Sequence, residues 1–264
     1  SASNKLSSAW RQLDPSGIMN AVIRMSNTKE KSELHMEIDP QELHISGMGR
    51  STDLDLKSGL IVVEGTNVFF NELEFKLTEN DGPQGDLSIN GEVHGDKSEF
   101  DYFIDSSWKD AQIDSPLSRA ITGIMGGTVG VEYFDSISPS GEANATLSAH
   151  GDLDNIAYNI EIIPASLNAT FHNRKAVAVF EERASSLGNS IRFTNGGIQF
   201  DELNGKLGEG DFSLQGTIDS DETIYGEFDF AWSGPTGDES LFAMLPKEVG
   251  DILFAIDTKV GYTQ

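Results

Sequence analysis

The chain has 264 residues, no cysteine, and 43 acidic against 18 basic side chains, for a formal net charge of −25. The missing thiols exclude disulfides, thiolate metal sites and cysteine nucleophiles, and leave the redox compartment open. A field of that sign repels nucleic acid and anionic headgroups over about one Debye length, ~8 Å, and no run approaches the roughly 18 apolar residues of a membrane span.

In chain order, residues 4–12 read as a short helix, the end (1–12) of a unit that precedes Leu13-Asp14-Pro15-Ser16-Gly17. From there to 106, nine strands are predicted near 18–25, 32–38, 42–48, 53–57, 60–64, 67–71, 73–78, 86–93 and 99–106, because apolar residues alternate with polar ones between Gly, Asn, Asp and Pro punctuation. Short connections make neighbours antiparallel, hence a meander. Asp114-Ser115-Pro116 then opens a helix through about Ile124, with Pro in its first turn and Gly126-Gly127 to stop it. Asp238-Glu239-Ser240 opens the matching helix of the second half, through Leu241, Phe242 and Leu245, with Pro246 dividing it.

That second half is a copy of the first. Pro15-Ser16-Gly17 recurs as Pro139-Ser140-Gly141, Pro40 as Pro164 and Trp108 as Trp232, all 124 positions later. The apolar phase recurs with them: Met19, Ala21, Ile23 answer to Ala143, Ala145, Leu147, and Leu34, Met36, Ile38 to Tyr158, Ile160, Ile162. After residue 180 the copy carries about six extra residues, so Val68, Phe70, Leu73 meet Ile198, Phe200, Leu203. A shorter turn then aligns Leu87 and Ile89 with Phe212 and Leu214. Both length changes fall at turn-like sequence, where insertions cost least. The reading is repeat unit 1 over 13–136 and unit 2 over 137–264, the latter ending in the start of another boundary, as in a piece of a longer array.

Catalytic chemistry leaves no trace in this pattern. The five histidines share no metal-ligand spacing, and His35 and His44 fall on the polar phase of their strands. Clusters such as Asp152-Leu153-Asp154-Asn155 lack the full loop spacing of a dedicated calcium site. No nucleophile elbow, P-loop or dinucleotide fingerprint occurs in its required setting. Neither an enzyme, a cofactor nor a metal is expected. Trp108 and Trp232, at strand ends just before each helix, read as packing anchors.

The stretch Gly197-Ile198-Gln199-Phe200-Asp201-Glu202-Leu203-Asn204-Gly205 and its continuation to Gly216 resembles the strand-Gly-strand-Gly signature of AsmA-like repeats in large bacterial envelope proteins, a group with TamB and YhdP relatives. The Pro-Ser-Gly opening followed by a mid-unit proline is similar to the planctomycete-type variant. The resemblance covers nearly all of both units and rests on glycines and alternation. It implies a bridge-like lipid-transfer architecture in the bacterial cell envelope, in the periplasm. The implied partners are phospholipid or another acyl-chain lipid and neighbouring repeats of a longer chain, with membrane contact only through parts absent here. It carries over no catalytic residue.

The residues give a separate reason for such a trough. One short helix per unit cannot cover about nine strands, so the apolar face either closes on itself or stays partly open for a ligand. The expected fold is therefore mainly β, two tandem repeats of curved antiparallel meander sheet forming an open trough; two β-sandwiches are the alternative. In unit 1 the inward phase takes Met19, Ile23 and Met25, then Leu34, Met36 and Ile38, then Leu87 and Ile89. In unit 2 it takes Leu147, then Tyr158, Ile160 and Ile162, then Phe212 and Leu214. Arg24, Glu37, His44 and Glu161 belong to the other side. The methionines suit either a core or a variable apolar ligand. The function expected is non-enzymatic binding or conduction of lipid acyl chains, with a structural or protein-binding β module as the alternative.

Overall fold

A computed structural model describes residues 15–27, 32–45, 52–79, 82–95, 100–115, 118–119, 122, 131–132, 134–152, 155–171, 174–181, 189–219, 225–235 and 238–244. The helix expected at 4–12, the Gly126-Gly127 stop, Pro246 and the boundary at the end of the chain lie outside these residues.

The protein is mainly β, and its strands follow one another as an antiparallel meander. They are β1 Pro15–Asn27, β2 Ser32–Ile45, β3 Thr52–Glu64, β4 Asn67–Glu79, β5 Gly82–Gly95, β6 Phe100–Gln112, β7 Ser140–Asp152, β8 Ile156–Phe171, β9 Arg174–Phe180, β10 Ser190–Thr194, β11 Gly197–Leu207, β12 Gly210–Asp219 and β13 Tyr225–Ser233. A helix of six residues, α1 Glu239–Met244, follows β13, and residues 131–132 and 134–137 are helical ahead of β7. Residues 118–119 and 122 are helical where the first helix was expected, and Ser115 is its cap, its Oγ accepting from the Ser118 N–H at 3.1 Å.

The chain forms two compact units. The first holds β1 to β6 and the hairpin Ala145–Ile160 from β7 and β8; the second holds the remainder of those two strands and β9 to β13. Within each unit the strands belong to a single sheet, not to the two facing layers of a sandwich.

The nine expected strands of the first half are six, each of 13 or 14 residues. Three interruptions that read as turns are irregularities inside continuous strands. The pairing register shifts between Ile38 and Leu43, on either side of Ser58 between Leu56 and Leu60, and between Phe70 and Leu73. A bulge and a turn share the same polar and glycine vocabulary, and what separates them is whether the partner strand keeps pairing beyond the break. Glu72 adopts φ 47° at its bulge, and Glu202, at the corresponding place in β11, adopts φ 41°. The register of β11 against β12 also shifts there, between Phe200 and Leu203.

The extra residues of the second half have a definite place. Where β3 is one strand, β9 and β10 are two, joined through 181–189 at the point corresponding to the β3 bulge. In β3 the bulge contains Gly59 at φ 104°, where a Cβ would collide with the Glu72 carbonyl oxygen. In the second unit Asn189, fully buried at φ 65°, does the closing. Its side-chain amide donates to the Glu181 carbonyl and its Oδ1 accepts from the Asn204 N–H at 2.6 Å.

Each unit has its own core on one face. The first gathers Leu54, Leu73, Phe75, Leu77, Trp108 and Ala111; the second gathers Ala176, Ala178, Leu203, Leu207, Phe212 and Ala243. Both tryptophans bond within the sheet: Trp108 Nε1 donates to the Gln84 carbonyl at 3.0 Å, and Trp232 Nε1 to that of Leu207 at 3.4 Å, and Trp232 also packs against the core that includes Ala243. In the second unit α1 packs on β9 through Ala243 and through Ser240 Oγ, which accepts from the Val177 N–H at 3.3 Å. Asp238 caps α1 by accepting from Ser240 N–H at 2.8 Å, and it accepts from Glu209 N–H at 2.7 Å, tying the helix to the β11–β12 turn.

Candidate functional site

Residues directly opposite in an antiparallel pair point to the same face, so the register can be followed sideways across the first unit. One rung runs Ile23, Met36, Val63, Val68, Val93, Tyr102, from β1 to β6. The next runs Ala21, Ile38, Ile61, Phe70, Gly91, Ile104. No side chain in either rung is charged. Five strand spacings of ~4.8 Å make this band about 24 Å long.

The band lies on the same face as the first core, on the other side of the bulges in β2, β3 and β4, with Ile61 and Phe70 of its second rung packed against that core. Beyond the bulges Leu54, Leu73, Phe75, Leu77 and Trp108 are all at most 5% exposed. Within the band no residue is buried: the members on β2 to β6 are intermediate and those on β1 are exposed. At its β6 end burial, and then the nearby charge of Asp152, push the Tyr102 phenol upward from its ordinary value.

Part of the same pattern exists in the second unit. Phe193, Ile198, Ile218 and Gly226 lie opposite one another from β10 to β13, as do Ile191, Phe200, Gly216 and Phe228. The rings of Phe200 and Phe228 meet edge to face at 5.7 Å across Gly216. That glycine sits at φ 154°, and a Cβ there would collide with the Glu227 carbonyl oxygen and lie 2.8 Å from the Phe228 ring.

The opposite face of the first unit is polar near β1 and β2. Arg24 and His35 lie across from each other, and both bond the Glu37 carboxylate at 3.0 Å. The hydrogen bonds from His35 and then Arg24 hold that carboxyl below the usual range. Arg24 and Glu37 therefore sit where alternation placed them; the side chain of His44 lies outside the described residues. In the second unit Glu161 pairs with Arg192 at 3.4 Å.

The fourteen residues selected from the sequence divide into separate groups. Met19, Ile23 and Met25 on β1 are 62%, 56% and 81% exposed, and stand opposite Pro40, Met36 and Leu34; Ile38 stands opposite Ala21. Leu87 and Ile89 lie beyond the bulges, packed against the first core. Leu147 and Tyr158 are partly buried members of the first unit, Ile160 is buried in it, and Ile162 is a partly buried member of the second. Phe212 belongs to the second core, with Leu214 packed against it.

Sequence reasoning passed over the middle of the band, Val63, Val68, Phe70, Val93, Tyr102 and Ile104. Their alternation was visible, but only the register shows that they continue the rungs begun by Ile23 and Ala21. A separate open depression of about 560 Å³ in the second unit is lined by Glu202, Asn204, Ser213, Gln215 and Asp229 beside Leu214 and Phe230. Its carboxylates and amides do not suit a hydrocarbon chain. Among the described residues no group of three or more His, Asp or Glu could hold a metal ion, and no helix is long and apolar enough to cross a membrane.

No protein-family model, curated protein or solved structure matches the chain.

Proposed function

We propose that the chain is a non-enzymatic lipid-binding or lipid-conducting segment of an AsmA-like protein of the bacterial envelope, acting in the periplasm, and that the apolar band of β1 to β6 receives acyl chains. The single observation that carries the reading is the pair of uncharged rungs, about 24 Å long, left incompletely covered beside a well-buried core. An acyl chain spans about 15 Å, half of a ~30 Å bilayer core, so one chain fits across the strands. Its attraction is removal of apolar surface from water, and methionine, isoleucine, valine and phenylalanine side chains adapt to it without demanding a specific headgroup. The net charge of −25 disfavours anionic headgroups, so zwitterionic phospholipid is the preferred ligand.

The test uses neighbours on one strand. Val63 lies in the band, and Val62 points to the other face, opposite Glu37 and Phe69. Protein purified without detergent is extracted and analysed by mass spectrometry, and then titrated with fluorescent phosphatidylcholine. Val63→Asp is expected to weaken binding at least about tenfold, ~1.4 kcal/mol, with an unchanged circular dichroism spectrum, and Val62→Asp to bind like the parent. A folded Val63→Asp protein that binds normally, or a parent that neither carries nor binds phospholipid, refutes the lipid reading. The structural or protein-binding module then takes its place, a reading favoured by the two self-contained cores around Leu77 and Leu207.

A further inference from the structure

Exposure of large apolar side chains is concentrated on two strands. Of the nine exposed large apolar side chains among the described residues, five lie on β1 (Ile18, Met19, Val22, Ile23, Met25) and two on β13 (Phe228, Phe230). Among the described residues each of these strands has one hydrogen-bonded neighbour, β2 for β1 and β12 for β13. Edge strands are usually blunted by charge, and the ion pair of Arg24 with Glu37 leaves β1 with little such protection.

The repeat indicates what fits these edges. β13 corresponds to β6, Phe228 and Trp232 standing 124 positions after Ile104 and Trp108. β1 corresponds to β7, Ala21 and Ile23 standing 124 positions before Ala145 and Leu147. In the first unit, β6 and β7 are hydrogen-bonded neighbours, and Ala145 packs against the core that holds Trp108. Pairing also changes exposure. Ile104 and Leu147 are partly buried, whereas their counterparts Phe228 and Ile23 are 47% and 56% exposed.

We propose that β13 of one copy of this chain pairs edge to edge with β1 of a second copy, reproducing the β6–β7 joint between molecules. The contact is heterologous, so it leaves a free β1 and a free β13 at the two ends of every assembly and does not stop at a dimer. Phe228 and Phe230 of one copy are brought beside Ile23 and Met25 of the next. A charge of −25 on each copy opposes the approach, so screening by salt strengthens it.

The absence of cysteine allows a clean test. Ile23→Cys and Phe230→Cys proteins are mixed under oxidising conditions and resolved by non-reducing electrophoresis, while sedimentation velocity follows the unmodified chain over a concentration and salt series. The expected result is a mixed disulfide dimer that predominates over either homodimer, with a sedimenting mass of the unmodified chain that grows past the dimer as concentration and salt rise. An unmodified chain that stays monomeric throughout overturns the proposal whatever the variants do. So does Ile23→Cys protein that cross-links alone as well as in the mixture, which would mean β1 pairing with β1.

Discussion

The two ends of the first unit's sheet carry the same alternation and the same kinds of side chain, yet one end is a core and the other an incompletely covered surface. On one side of the bulges Leu77 is 0% exposed and Trp108 5%; on the other, Ile23 is 56% exposed and the rungs running from it are only partly covered. Apolar character is therefore not what distinguishes core from candidate site. The bulges in β2, β3 and β4 divide one face into two regions, and bulges bend strands and increase their twist.

The sharpest way to break this comparison is truncation at each end. Leu77→Ala removes a wholly buried side chain and is expected to cost about 2–5 kcal/mol, read from urea denaturation; a loss near zero would mean that the first core is not one. Gly216→Ala tests whether a rung position can be costly for reasons other than burial. Its Cβ would meet the Glu227 carbonyl oxygen at φ 154°, and a loss of about 1–3 kcal/mol is expected, visible as a lower Tm. Met25→Ala, at a side chain 81% exposed, is expected to change stability by no more than about 0.5 kcal/mol in the same assay. A larger loss would show Met25 packed against something in solution.

The smallest effect lies on the polar face. The Glu37 carboxyl is held below its ordinary value by His35 and Arg24, so its ionised form adds stability that is present above the ordinary value of 4.5 and is lost as pH falls through the lowered, folded-state value. NMR titration of the Glu37 carboxyl should show the depressed midpoint, and Arg24→Gln should move it back up. A midpoint unchanged by Arg24→Gln would remove Arg24 as a cause.

Much of this was legible because alternation is a local property. The phase of Met19, Ile23, Leu34, Met36 and Ile38 needed only neighbouring residues, since successive strand side chains must point to opposite faces. The insertion after residue 180 was legible because the two halves of the chain could be compared, and it falls where β3 gives way to β9 and β10. The breaks at Pro40-Gln41, Lys57-Ser58-Gly59 and Asn71-Glu72 were misread as turns, because a bulge is defined by pairing with another strand. Joining Val68, Val93 and Tyr102 into the rung of Ile23 likewise required the register of four further strands. The sequence by itself determined which neighbouring residues share a face and that the pattern occurs twice. Only the tertiary structure decided which part of the apolar face is buried and which is left partly open. Cover depends on what arrives from distant segments of the chain, and side-chain alternation within a strand contains no information about that.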